Sequence, residues 1–302
     1  VLLAPDCIGP EVEKMAHALK RGEILMLENL RFHQEEEIPT QEFVSQLASL
    51  GDVYVNDAFG TAHRAHASTA LIARYFPGKK AAGFLMEKEI QALKPLIENP
   101  QHPFHAIIGG AKISTKAGVI QNLKVDALYI GGAMAIPFFK AQGIPMGDYV
   151  VSHDDIKIAK DILNSGKCIY LPVDLVIAKE NDVKTILTKE GVPESWHVSD
   201  IGPQTVLAWS EKLNVAKTIF WNGPLGIVEK KPFDVGTRAI AENLAKSKAK
   251  VIIGGGDSVG AIQQMGLSNQ FFHLSTGGGA SLEFLEFGHL PGIDALLSNK
   301  KS

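Results

Sequence analysis

Two cysteines, Cys7 and Cys168, are all that 302 residues contain. They lie far apart and share no metal-type spacing, so neither a disulfide framework nor a thiolate zinc centre is supported. Reduced thiols in a cytoplasmic protein are expected. No apolar run is long enough to span a membrane. No secretory leader can be read in the chain. Net charge is −3, which gives no general attraction to nucleic acid or an anionic bilayer. Any anion site must therefore be built locally. The Walker A pattern and the Gly-x-Gly-x-x-Gly fingerprint are both missing. No Ser–His–Asp or Cys–His set stands out. What remains is an ordinary balance of 45% hydrophobic and 21% charged residues, in a chain long enough for two domains.

The most informative stretch runs from Val251 to Gly279. Val251-Ile252-Ile253 leads into Gly254-Gly255-Gly256-Asp257-Ser258 and an amphipathic run. Phe272-His273-Leu274 then leads into Ser275-Thr276-Gly277-Gly278-Gly279-Ala280-Ser281. The grammar is strand, glycine turn, helix, twice over. Glycine turns let a ligand approach the backbone, and a helix starting there offers free N–H groups and a positive dipole end. Two such termini would suit a polyphosphate. Asp257 has the hardness to hold Mg²⁺. The plainer alternative is that the glycines only permit tight turns.

The chain opens on Val1-Leu2-Leu3-Ala4-Pro5, which reads as the interior of a domain, and a fragment is expected. Gly9-Pro10 starts a helix with stripe Val12, Met15, Ala16 and Leu19, ended by Gly22. Ile24 to Leu27 reads as a buried strand followed by Glu28-Asn29-Leu30-Arg31-Phe32-His33. Glu35-Glu36-Glu37 reads as a solvated loop without chemistry. Thr40 caps a helix with stripe Phe43, Val44, Leu47 and Leu50. The strand Val53 to Val55 runs into a polar loop, Asn56 to His66. His63 and His66 fit no common zinc pattern. Arg31 and Arg64 both follow strand ends, where guanidinium groups can take a carboxylate or phosphate or simply face solvent. Met86, Ile90, Leu93 and Ile97 define a long helix containing Pro95, and Asn99 to Pro103 reads as a domain junction.

Beyond it the strands Ala106–Ile108, Leu128–Ile130, Cys168–Leu171 and Thr218–Phe220 each end in glycine, proline or polar residues. Apolar strands alternating with helices predict parallel sheets covered on both faces, with ligands on the carboxyl rim. Lys112 and Lys116 stand four apart beyond Gly109-Gly110, so a helix would place them on one face. They could grip phosphate or be solvated surface lysines. Phosphoryl transfer asks for in-line positioning, a metal and positive charge more than covalent help. Lys112, the glycine-rich helix starts and Asp257 supply those parts.

The sequence resembles the phosphoglycerate kinase family. The resemblance is carried by Glu28 to Phe32, Val55 to Gly60 with His63 to His66, Gly109 to Lys112 with Lys116, Leu171 to Asp174, Asp200 to Pro203, Trp221 to Pro224, Gly254 to Asp257 and Ser275 to Ser281. It implies an α/β fold of two Rossmann-like three-layer domains with parallel sheets, the first incomplete, joined by a long helix. The implied segments are the remainder of a phosphoglycerate domain over 1–83, a connecting helix over 84–100, a nucleotide domain over 101–274 and a returning segment over 275–302. The implied reaction is reversible phosphoryl transfer from 1,3-bisphosphoglycerate to ADP, giving 3-phosphoglycerate and ATP with Mg²⁺.

By the same resemblance Arg31 and Arg64 bind phosphoglycerate, and Lys112 with Gly255, Gly256, Gly278 and Gly279 surrounds the moving phosphoryl group. Gly110, Lys116, Gly131, Gly132, Gly202, Asn222, Glu229, Asp257 and Ser258 join Gly255 and Gly256 in binding nucleotide. Glu229 takes the ribose and Asp257 the metal. A monomer is implied, with no nucleic-acid or membrane partner. Phe287 stands where the family has glycine, which leaves the local turn open. The family's opening strands would precede Val1, so an inactive nucleotide-binding fragment is the second expectation.

Overall fold

The computed structural model describes residues 1–298. The chain forms two compact units, Val1–Gln91 with the segment from Phe287 on, and Ala92–Glu286.

The first unit runs β1 (Leu2–Leu3), α1 (Pro10–His17), β2 (Leu25–Met26), α2 (Gln41–Ala48), β3 (Tyr54–Asn56), β4 (Lys80–Ala82) and the start of α3 (Phe84–Glu98). Its apolar centre is Cys7, Phe43, Val44, Leu47, Ala48, Ala67, Ile72 and Phe76. The predicted cap holds: Phe43 N–H donates to Thr40 Oγ1 at 3.3 Å. Burial is another matter. The strands form two separate parallel pairs, β1 with β2 and β3 with β4. Leu2, Leu3, Ile24, Met26, Val53 and Val55 are each between 51% and 64% exposed. These strands are therefore not the doubly covered strands that their composition suggests, because a two-stranded ribbon has too little neighbouring surface to bury both faces.

Two local readings are also corrected. The first helix stops at His17, well before Gly22. Glu35-Glu36-Glu37 is not a solvated loop, for Gln34–Glu36 makes a 3₁₀ turn and Glu36 is buried. The polar loop after β3 is largely structural. Asn56 Nδ2 donates to Thr69 O at 3.0 Å, and Asp57 Oδ1 accepts from Met86 N at the start of α3. The helix Pro291–Leu297 belongs to this unit, where Gly292 N donates to Ala62 O and Lys80 Nζ donates to Ala295 O at 2.7 Å.

The second unit holds β5 (Phe104–Ile108), α4 (Ala117–Asn122), β6 (Ala127–Ile130), α5 (Ile136–Ala141), α6 (His153–Leu163), β7 (Ile169–Tyr170), β8 (Asp174–Lys179), β9 (Asp182–Leu187) and β10 (His197–Ile201). It continues with α7 (Pro203–Leu213), β11 (Thr218–Asn222), α8 (Val235–Ala245), β12 (Lys250–Gly254), α9 (Gly256–Gln264), β13 (His273–Leu274) and α10 (Gly279–Phe287). Six strands form one parallel sheet in the order β13-β12-β11-β5-β6-β7. Every residue of β5, β6 and β11 is buried. Successive side chains face opposite ways, so both faces of this sheet are covered.

The register matters most for function. Ile108, Asn222 and Gly254 are side-by-side partners. The turns that follow them, Gly109-Gly110, Gly223-Pro224 and Gly255-Gly256, therefore emerge together. Sequence order also runs outward in opposite directions from β5 and β11, so these turns flank a topological switch point. That is where open α/β sheets hold ligands.

A second sheet, β10-β8-β9, is antiparallel, where only parallel strands are expected. Asp174 does not end a strand of the main sheet but begins β8. Its buried carboxylate accepts from Gln204 N, Thr205 N and Thr205 Oγ1, capping α7. The turn after α10 falls on Gly288 (φ 78). Phe287, left exposed, therefore needs no special backbone there.

Candidate functional site

A cavity of 390 Å³ opens at the switch point. Its lining brings together Gly110, Lys112, Lys116, Asn222, Gly255, Gly256, Asp257, Ser258, Gly278 and Gly279. Ala111, Thr115, Gly223, Pro224 and Leu282 complete it. The size falls in the range of small-molecule sites. A larger groove of 740 Å³ runs beside Lys140, Gly143–Gly147 and Glu190–Glu194. It offers neither helix starts nor paired lysines, so the smaller cavity is the candidate site.

Four of the residues expected to bind nucleotide lie outside that lining. Gly132 packs the turns behind it: a Cβ there would stand 2.9 Å from Gly110 O and 3.0 Å from Pro224 O. Gly131 faces the Leu225 and Trp209 side chains. Gly202 leaves room for the Asp174 carboxylate at the start of α7. Glu229 is exposed in the turn after Ile227.

The two lysines differ more than their spacing suggests. Residues 111–116 form a bend and a turn, and α4 begins only at Ala117. They therefore do not share a helical face. Lys112 is exposed at the cavity mouth. Lys116 folds back, and its Nζ donates to Gly109 O at 2.7 Å and to Asn222 O at 3.4 Å. Burial pulls the Lys116 ammonium down to about 8, against the opposing pull of the Asp257 carboxylate. Its proton is thus held loosely in a protein without ligand.

Asn222 is 2% exposed, and its Nδ2 donates to nothing among the described residues. A buried amide without an acceptor costs free energy. The Gly255 turn passes beside it, where a Cβ would stand 3.0 Å from Nδ2. Ser258 Oγ accepts from Gly223 N at 2.7 Å and so ties the β11 turn to α9. Asp257 is exposed on the first turn of α9. On α10, Gly278 and Gly279 lead a nine-residue helix into the cavity, and Ser275 Oγ lies 2.6 Å from Ser281 Oγ beneath that turn. The site therefore offers two helix starts, two lysines, an unanswered amide donor and one carboxylate. That donor set fits a polyphosphate carrying a hard divalent cation, which keeps most of its ligands as water and phosphate oxygens.

Thr115 and Leu282 carry no separate signal in the sequence. Gly223 does, through the Asn-Gly-Pro run that forces a turn directly after a strand.

In the first unit Arg31 and Arg64 are both partly exposed, and both approach Glu37. Among the described residues one group of potential metal ligands is close-set, namely Asp6, Cys7 and His33. His33 Nε2 already pairs with Asp6 Oδ1 at 2.7 Å, and burial pushes the Cys7 thiol up to about 11. This group fastens the 30–33 turn to the β1–α1 loop.

The family model described as phosphoglycerate kinase matches residues 1–288. A phosphoglycerate kinase of Moorella thermoacetica is 51% identical over 300 residues, covering 96% of this chain and 76% of its own. One from Roseiflexus is 52% identical over 297 residues, covering 95% and 75%. The structure of phosphoglycerate kinase from Coxiella burnetii superposes with TM-score 0.82 at 39% identity, covering 92% of this chain and 74% of that one. The Pyrococcus horikoshii enzyme gives 0.88 at 33% identity, covering 98% and 78%. The chain belongs to the phosphoglycerate kinase family.

Proposed function

We propose that the cavity at the switch point binds Mg²⁺-ADP or Mg²⁺-ATP, and that the chain transfers a phosphoryl group between 1,3-bisphosphoglycerate and ADP. The observation that carries this reading is the convergence of Lys112, Lys116, the buried Asn222 amide and two glycine-led helix starts on one small cavity. The first unit supplies Arg31 and Arg64 for the anionic groups of phosphoglycerate. We read the protein as a monomer of the cytoplasm. The described residues include no helix long and apolar enough to cross a membrane.

The chemistry asks little of the protein beyond position and charge. The phosphoryl group leaves the carboxylate oxygen of the acyl phosphate and joins a terminal oxygen of ADP. The transition state spreads negative charge over three equatorial oxygens. Lys112, exposed at the mouth, donates hydrogen bonds from its ammonium to those oxygens. Backbone N–H groups at the starts of α9 and α10 face the same charge with no reorganisation cost. Asn222 Nδ2 gains on binding the acceptor it lacks. Lys116 exchanges two backbone carbonyls for phosphate oxygens. Asp257 would hold the Mg²⁺ of the nucleotide, which when bound neutralises phosphate charge and fixes its geometry.

Titration calorimetry tests the nucleotide half of this reading. Mg²⁺-ADP should give heat with the 302-residue protein at millimolar concentration or below, and Lys116→Ala should weaken it about tenfold or more. A folded protein giving no heat would defeat the reading. Heat without turnover in a coupled assay would leave nucleotide binding as the function and remove the transfer.

A pH series gives a second check. The Lys116 ammonium is the form that meets phosphate, and it is half lost near 8 in the empty site. Binding must therefore take up a proton above that pH, and affinity should fall as pH rises through 8, by up to about tenfold per unit. Lys116→Met should flatten the profile between pH 7 and 9. An equally steep profile in that variant would assign the titration to another group.

A further inference from the structure

Glu36 and Glu37 organise the arginine site from below. Glu36 is 4% exposed, and its carboxylate accepts from Ser68 N at 3.1 Å and Ser68 Oγ at 2.7 Å. Its carbonyl accepts from Ala67 N at 3.0 Å. These bonds fasten the 34–37 turn to the chain just beyond Arg64. With Glu36 turned inward, Glu37 is half exposed on the outer side. Its Oε1 lies 3.5 Å from Arg31 Nη1 and 4.0 Å from Arg64 Nη1. One carboxylate oxygen therefore stands between two guanidinium groups. Arg64 Nε lies 3.4 Å from His63 Nε2, and the Nδ1 of the same ring is buried without a partner among the described residues.

Two guanidinium groups drawn to one spot repel unless an anion lies between them. Glu37 supplies that anion from within the chain. Its two contacts are long and half solvated, so they are weak enough to exchange.

We propose that Glu37 is the resident anion of the phosphoglycerate site: it holds Arg31 and Arg64 around one oxygen, and an anionic group of the substrate displaces it. This rests on the reading that Arg31 and Arg64 bind phosphoglycerate. Glu37 is then a positioning residue. It raises the threshold for any anion entering the site, because each must first displace the same carboxylate.

Calorimetry with 3-phosphoglycerate and with inorganic phosphate, on the 302-residue protein, tests this. Glu37→Gln removes the charge and keeps the size. It should bind 3-phosphoglycerate about two- to fivefold more tightly, the scale of a half-exposed ion pair. It should tighten inorganic phosphate by a similar factor, since both ligands displace the same carboxylate. Glu37→Asp should restore the weaker binding. Arg31→Ala and Arg64→Ala should each weaken 3-phosphoglycerate. Thermal melting of each variant confirms that the fold is kept.

Binding by Glu37→Gln equal to or weaker than the parent, with both arginine variants weakened, would overturn the proposal and leave the arginine reading standing. Arginine variants that give measurable binding equal to the parent's would overturn the reading and the proposal with it, as would no heat in any variant. Heat in Glu37→Gln alone would support the proposal in its strongest form.

Discussion

Lys112→Ala should lower kcat by about 10²- to 10³-fold while changing the dissociation constant of Mg²⁺-ADP by less than about threefold. That range is what removal of one preorganised donor to a transition-state oxyanion costs elsewhere. The structural ground is the contrast between the two lysines. Lys116 is drawn in among backbone carbonyls at the strand ends. Lys112 is exposed at the cavity mouth. A group that meets the moving phosphoryl only in transit stabilises the transition state more than the ground state, so its loss appears in turnover. A coupled assay for ATP formation, run beside calorimetry, separates the two quantities. Loss of affinity with intact turnover would reverse the roles of Lys112 and Lys116.

Gly223→Ala should destabilise the second unit by about 3 kcal/mol and abolish nucleotide binding. Two costs add. Gly223 has φ +92, a conformation that a side chain opposes by about 1–2 kcal/mol. A Cβ would also overlap the Gly109 carbonyl and stand 2.6 Å from Lys116 Nζ, and crowding of this kind costs about 1–3 kcal/mol. Gly166→Ala separates the terms. Gly166 has φ +78 with nothing within 4 Å of a Cβ, so that variant should show the backbone cost alone and leave nucleotide binding intact. Thermal midpoints and Mg²⁺-ADP titrations on both variants check this. Equal loss in the two would show that the packing of the two turns contributes nothing.

Much of the second unit was legible in the residues. Six apolar strands, each ending in glycine, proline or a polar side chain, specify a covered parallel sheet with its chemistry on one rim. The periodicity of α2 and α3 was equally plain, because amphipathic stripes survive any arrangement of neighbours. Asp174 was not legible in its true role. Pro172-Val173-Asp174 reads as another strand end, yet Asp174 opens an antiparallel strand and caps α7 with its carboxylate. Strand direction depends on partners distant in sequence, and no local pattern of side chains encodes it. Glu36 and Glu37 read as one more acidic run. Only the meeting of the 34–37 turn with Ser68 buries one and leaves its neighbour between two arginines.

The sequence by itself determined the class of fold, the order of the elements and the glycine turns with their lysines and carboxylate. These are properties of short stretches: period, turn chemistry and helix starts. The tertiary structure decided which of those groups meet. The register that sets Ile108, Asn222 and Gly254 abreast brings three turns into one cavity and leaves Glu229 and Gly202 out of its lining. It also decided the protonation of Lys116 and the unanswered Asn222 amide, since both follow from burial. Burial is set by what packs against a residue, and those neighbours come from distant parts of the chain.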